Sequence, residues 1–381
     1  MKKNILSIVV AILFFTACKP GDSRDSNVKG KFTNAHGETV FLDELKPEGI
    51  NTIDSAVIDE NGEFKFNKPV NAVGFYKIGI SESNFATVII DSNQQINLLA
   101  DAADIAKTYN AEGSPDTKLF IEINNASQKH FYKLDSLNRF FQNYLNIAQM
   151  DTTKIDSISD VVEVIFNKEN KIHEDYLTSL IKANPTSLAN IAAIQQLDIN
   201  KNFDCYEVLS AGLGKKYPDS PYTKFFVADF EKKKKFRFGA QAPDINLENA
   251  EGKVVALSSL RGKIVLLDFW ASWCGPCRAE SSTLVSAYKR FNKNGFEIYG
   301  VSLDKEKASW LSAIEKDQFT WTNVSDLKWW QSEAAQLYEV KSIPCNFLLD
   351  REGKIVAKNL HGEDLEAKIC ELEAGWCNAK K

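Results

Sequence analysis

Residues 264–271, Ile-Val-Leu-Leu-Asp-Phe-Trp-Ala, form a strand-length apolar run, and Cys274-Gly275-Pro276-Cys277 follows two residues after its end. The run reads as a buried strand, and Pro276 suits the first turn of a helix that continues through Cys277. A strand that turns directly into a helix commits the segment to a sheet with crossover helices. The flanking pattern agrees. Strands are predicted at 264–271, 296–303, 346–350 and 355–360, helices at about 276–293, 305–316, 328–338 and 363–374, and "DINLEN" with "VVAL" forms an opening hairpin. Residues 238–381 therefore read as a complete α/β domain.

Upstream the texture differs twice. Residues 28–113 carry short β-branched or aromatic runs at 39–42, 53–58, 63–66, 76–80, 86–90 and 95–100, with the hairpin signal Asp-Glu-Asn-Gly at 59–62; they predict a small antiparallel β domain. Residues 114–237 are a helical region. Leu134, Leu137, Phe141, Tyr144 and Leu145 recur at helical spacing as a core stripe, and helix starts are predicted near Asn184-Pro185-Thr186-Ser187 and Pro218-Asp219-Ser220-Pro221. The lysine run at 231–238 reads as a solvated helix end.

The chain opens with Lys2 and Lys3, an eleven-residue apolar run and small residues before Cys18. That is the layout of an export signal, and the run is short of the roughly 18 residues a membrane-spanning helix needs. Phe15-Thr16-Ala17-Cys18 resembles a bacterial lipoprotein signal, which implies removal of residues 1–17, acylation of Cys18 and a tether over 18–27. Cleavage removes two lysines and no acids, taking the net charge from −5 to about −7, which gives no support to nucleic-acid binding. Outside the cytoplasm thiols oxidise unless something keeps them reduced, so the six cysteines after Cys18 each need an account.

Two cysteines spaced three apart suit a zinc site or a redox pair. Zinc needs four ligands; here the other cysteines are scattered singly or seven apart, and His36, His130, His173 and His361 form no close pair, so no metal is expected. The strand-to-helix turn places Cys274 at a helix N-terminus, where unpaired amides and the dipole stabilise a thiolate. Cys277, nearly one helical turn on, can attack a mixed disulfide formed at Cys274.

"DFWASWCGPC" resembles the thioredoxin active-site segment, and residues 238–377 are similar to membrane-tethered, extracytoplasmic thioredoxin-like proteins of the TlpA and ResA type. The resemblance implies a thioredoxin-like fold with no cofactor, Cys274 as exposed nucleophile and Cys277 as resolving thiol. It implies that Asp268 is the buried acid that takes the resolving cysteine's proton, and that Glu280 supports the site from one turn beyond Cys277. A carboxylate on an apolar strand should have a raised pKa, as a general base near neutrality requires. Ile343-Pro344 corresponds to the cis-proline that exposes backbone to an extended substrate, and Trp273 belongs to the substrate-receiving surface, with Trp270 in the core.

Three positions depart from the pattern or extend it. Cys345 replaces the usual threonine after the proline, either as a small buried apolar residue or as a third thiol competing for the pair. Ser282 stands where relatives often have a kinking proline, which predicts an unbroken helix with unchanged chemistry. Cys370 and Cys377 are too far apart on one helix to bond, but Gly375 can end the helix and fold Cys377 back.

The leading expectation is an extracytoplasmic thiol-disulfide oxidoreductase, lipid-anchored to the inner or outer membrane at Cys18. It would reduce or isomerise disulfides in exported proteins and be renewed by a membrane electron donor. One alternative is a thiol peroxidase of the same superfamily, although Trp270-Ala271-Ser272-Trp273 precede Cys274 with neither threonine nor proline of the peroxidatic pattern. Another is a lipid-anchored binding or assembly protein whose business lies in residues 28–236, with an accessory thioredoxin domain.

Overall fold

The computed structural model describes residues 27–148 and 152–377; the expected signal peptide, Cys18 and nearly all of the tether lie outside the described residues. Compactness divides the chain into one unit up to Ala193 that also takes Gly212–Lys224, and a second built from Ile194–Ala211 and Phe225 onward.

The first unit begins with β1 (Val28–Thr33), β2 (Thr39–Lys46), β3 (Gly49–Val57), β4 (Glu63–Lys65), β5 (Gly74–Gly79), β6 (Phe85–Ile90) and β7 (Ile96–Asp101). A helical turn, α1 (Ile105–Thr108), and β8 (Asn110–Glu112) follow. They form two four-stranded sheets, ordered β4-β1-β7-β8 and β3-β2-β5-β6. Pairing is antiparallel except between β1 and β7, which run parallel from Val28↔Ile96 to Thr33↔Asp101. The sequence named no strand before residue 39. In β1 the inward positions are Val28, Gly30 and Phe32 and the outward ones include two lysines, a burial alternation that Gly30 blurs. One core of Val28, Phe32, Val40, Leu42, Tyr76, Ile78, Val88 and Leu98 is buried by these sheets.

Two long helices follow, α2 (Pro115–Ala148) and α3 (Thr152–Ala183). They pack antiparallel: Tyr176 donates to Glu122 (2.7 Å), the His130 and His173 rings stack at 4.2 Å, and Lys133 meets Glu169 at 2.6 Å. The stripe of Leu134, Leu137, Phe141, Tyr144 and Leu145 is half-buried instead of forming core. α4 (Asn190–Ile194) starts after the predicted Asn184–Ser187 signal, because Ser187 is consumed in a turn closed on Asn184 and accepts from Ala189. α5 (Phe203–Lys216) and α6 (Pro221–Lys235) complete the helical region, α6 starting at Pro221 as its signal predicts.

The second unit has the expected hairpin, β9 (Asn246–Glu248) with β10 (Val254–Ala256), and a five-stranded sheet. Its strands are β11 (Ile264–Trp270), β12 (Phe296–Ser302), β13 (Thr322–Val324), β14 (Cys345–Leu349) and β15 (Ile355–Lys358), in the order β13-β12-β11-β14-β15. The first three pair in parallel; β14 and β15 join antiparallel. Every residue of β11 and β12 is buried, as continuous apolar runs covered on both faces demand. The helices are α7 (Gly275–Phe291), α8 (Lys307–Asp317), α9 (Glu333–Leu337), α10 (Gly362–Leu372) and α11 (Ala374–Cys377). This is a thioredoxin-like fold. The helix predicted over 328–338 is corrected to a tight turn at Trp329–Gln331 followed by the short α9, since Leu327 and Trp329 take left-handed backbone (φ 56° and 57°) that no helix continues through. α7 runs without a break through Ser282.

Alternation along β11 decides what faces what. Ile264, Leu266 and Trp270 pack in the cluster that holds Leu284, Ala287 and Phe291 of α7, whereas Val265, Leu267 and Phe269 pack with Tyr338, Tyr299 and Phe347 on the other face. Asp268 has the parity of the first set, so its carboxyl points to the α7 side of the sheet.

Candidate active site

Cys274 caps the N-terminus of α7: its backbone is extended (φ −81°, ψ 102°) and its Sγ accepts from the Cys277 amide at 3.2 Å. The helix offers an electropositive end with no acidic residue in its first turn, the setting that favours a thiolate there. Cys274 and Cys277 are joined in a disulfide with their Cα atoms 5.3 Å apart. In this oxidised form Cys274 is only 4% exposed, so the exposed nucleophile of the sequence reading is corrected: the bonded sulfur packs into the core cluster beside Cys277.

Asp268 is buried, on the same sheet face as α7. Burial, and next the charge of Glu280, push its carboxyl up to about 7. Across the sheet Gly300 stands opposite it on β12 and Asn346 opposite it on β14. A side chain at 300 would drive its Cβ to 2.5 Å from the Asn323 Oδ1, so the close approach of Asn323 requires glycine there. Glu280, half-buried one turn after Cys277, accepts from His361 Nδ1 through both oxygens, at 3.0 and 2.9 Å.

The Ile343–Pro344 peptide is cis, and both residues are half-buried. Trp273 is 49% exposed and touches Trp329 and Trp330, with ring centroids 6.5 and 6.1 Å away, while Trp270 is buried. Cys345 pairs with Phe269 across the sheet and packs with the cluster on the far face, away from the dithiol. Burial, and after it the Asp268 charge, push its thiol up to about 11 against the pull of Lys358, which makes it a poor nucleophile at neutral pH. Cys370 and Cys377 form a second disulfide, their Cα atoms 5.6 Å apart after the chain folds back at α11. Among the described residues no group of three or more His, Cys, Asp or Glu is placed to hold a metal ion.

Sequence reasoning missed the supports. Asp304, 1% exposed, accepts from the Ser272 amide (3.0 Å), from the Ser272 hydroxyl and from the Ser302 hydroxyl (2.8 Å), fixing the loop before Cys274. Arg278 ties the same loop to α8 by donating to the Ser272 carbonyl (3.2 Å) and to Asp317. His361, Asn346, Trp329 and Trp330 were missed as well. Only Asn346, a polar residue in an otherwise apolar strand, carried a signal.

A disulfide at a helix N-terminus on a thioredoxin-like sheet defines a dithiol–disulfide exchange protein. The comparisons agree. The AhpC/TSA family pattern matches residues 238–358, and a pattern described as Domain of unknown function (DUF4369) matches residues 26–120. The thiol-disulfide oxidoreductase ResA of Bacillus subtilis (strain 168) is 33% identical over 131 residues, covering 34% of this chain and 72% of that protein. ResA of Geobacillus kaustophilus (strain HTA426) is 33% identical over 151 residues, covering 39% of this chain and 83% of that protein. A solved thiol-disulfide oxidoreductase from Bacteroides fragilis NCTC 9343 is 38% identical, covers 35% of this chain and 98% of its own, and superposes with a TM-score of 0.34. This chain belongs to the ResA-like thiol-disulfide oxidoreductases of the AhpC/TSA family, within the thioredoxin-like superfamily.

Proposed function

We propose that the protein works outside the cytoplasm, anchored to a membrane by lipid on Cys18, and reduces or isomerises disulfides in exported proteins. The observation that carries this reading is the Cys274–Cys277 pair at the start of α7 with the high-pKa Asp268 buried on the same side of the sheet. In the reduced protein the Cys274 thiolate attacks a client disulfide, forming a Cys274–client bond and expelling one client thiolate. Cys277 then passes its proton to Asp268 and its thiolate attacks Cys274, releasing the second client thiolate and closing the Cys274–Cys277 disulfide. Two electrons pass from the dithiol to the client, and a membrane electron donor returns them. Trp273 and the Ile343-Pro344 backbone receive the client's extended chain, and Glu280 tunes Asp268. Among the described residues no helix is long and apolar enough to cross a membrane, so attachment in this reading rests on Cys18.

Trapping tests it. Cys277→Ser removes the resolving thiol, so the full-length variant should accumulate exported proteins in mixed disulfides through Cys274, released by reductant and identifiable by mass spectrometry. Recovery of no exported partner would overturn the client assignment.

A further inference from the structure

We infer that His361 is a positioning residue for this exchange, clamping Glu280 on the side of α7 that carries Cys277. The inference rests on the redox reading above and extends it to a residue 81 positions away in sequence. Glu280 lies 14% exposed and both of its oxygens face the same imidazole nitrogen. A carboxylate only accepts, so Nδ1 carries the hydrogen and donates.

The imidazole is itself held. Asn346, 1% exposed, donates to the Leu360 carbonyl at 2.8 Å and accepts from the Leu360 amide at 2.9 Å, pinning the residue before His361. Asn359, in left-handed backbone (φ 50°), donates its amide to the Asn346 carbonyl at 2.9 Å, closing the turn. His361 occupies the N-cap position of α10 but makes no side-chain capping bond, leaving its ring to Glu280. Asn346 is also the cross-strand neighbour of Asp268. One asparagine thus fixes the turn that aims His361, and the strand position opposite the acid that Glu280 influences.

Other charges lie on the surrounding elements. α10 carries Glu363 and Asp364 in its first turn and Glu366, which pairs with Arg290 of α7; α7 also carries Arg278, bound to Asp317; β15 carries Lys358, and β11 Asp268. The Arg290–Glu366 pair and the buried Leu365 and Ile369 dock α10 without His361, so substitution at 361 leaves the helix in place. What His361 contributes is a donor, and when protonated a counter-charge, against Glu280. Because the Glu280 charge raises Asp268, weakening that partner must raise Asp268 further, and a permanent cation must lower it.

Single-turnover resolution of a mixed disulfide between Cys274 and a small thiol, followed against pH, reads this out. His361→Leu should move the midpoint up by about half a unit or more. His361→Lys should move it down, and His361→Gln, which keeps an N–H donor, should lie between wild type and Leu. The 13C-carboxyl titration of Asp268 in the oxidised variants needs no turnover and should shift in the same directions. Leu and Lys variants that share the wild-type midpoint in both measurements would overturn the role of His361. Wild-type protein that releases no thiol at any pH would instead overturn the redox reading beneath it.

Discussion

At the residue scale the decisive group is Asp268. Its folded-state pKa of about 7 lies above the ordinary value near 4, so between those limits the folded protein binds more protons than the unfolded one. Stability therefore falls as pH rises from about 4 to about 7, by on the order of 4 kcal/mol for three units at 1.36 kcal/mol each. Asp268→Asn should flatten that slope, which urea unfolding of the oxidised protein at pH 5 and pH 8 will show as a smaller difference in midpoint. The same substitution removes the proton acceptor and should slow release of the second client thiolate on the order of a hundredfold at neutral pH, measured by stopped flow. The ionised carboxyl thus costs stability at neutral pH while it serves the reaction as proton acceptor.

At the scale of elements, much was legible in the sequence. The β11–turn–α7 unit could be read because an apolar run, a proline and two cysteines are all local. The Cys274–Cys277 pair follows from that unit, whereas Asp268 and Glu280 were singled out by the resemblance to thioredoxin-like proteins, helical spacing adding only that Glu280 shares a face with Cys277. What escaped depends on distant pairing. Asn346 holds Leu360 across 14 residues and His361 reaches Glu280 across 81, and no periodicity encodes such contacts. Likewise Trp329 meets Trp273 only because left-handed residues break the helix that its apolar neighbours predict. The Cys370–Cys377 link was left open by spacing and closed by the turn into α11. Removing it with the double variant Cys370→Ser, Cys377→Ser should cost about 2 kcal/mol relative to wild type for so short a loop, seen as a lower thermal midpoint while the Cys274–Cys277 disulfide still forms.

At the scale of the molecule, the redox unit occupies roughly the last third of the chain, and the β sheets at the start match, over residues 26–120, a domain pattern of unknown function. The proposed lipid on Cys18 would set where the dithiol acts. Cys18→Ser should leave the exported protein in the soluble envelope fraction, whereas wild type sediments with membranes; equal sedimentation of both would contradict the anchor. If the dithiol carries the biology, full-length Cys274→Ser, Cys277→Ser protein at normal abundance should fail to complement a deletion strain. Full complementation would move the function to residues 28–236.

The most direct test is the stoichiometry of exchange. Reduced full-length protein mixed with excess disulfide-bonded peptide should oxidise one Cys274–Cys277 dithiol for each peptide disulfide opened, with Cys345 remaining alkylatable and Cys277→Ser stopping at one Cys274-linked peptide. Peptide disulfides left intact, or opened with Cys345 consumed in place of Cys277, would contradict the account.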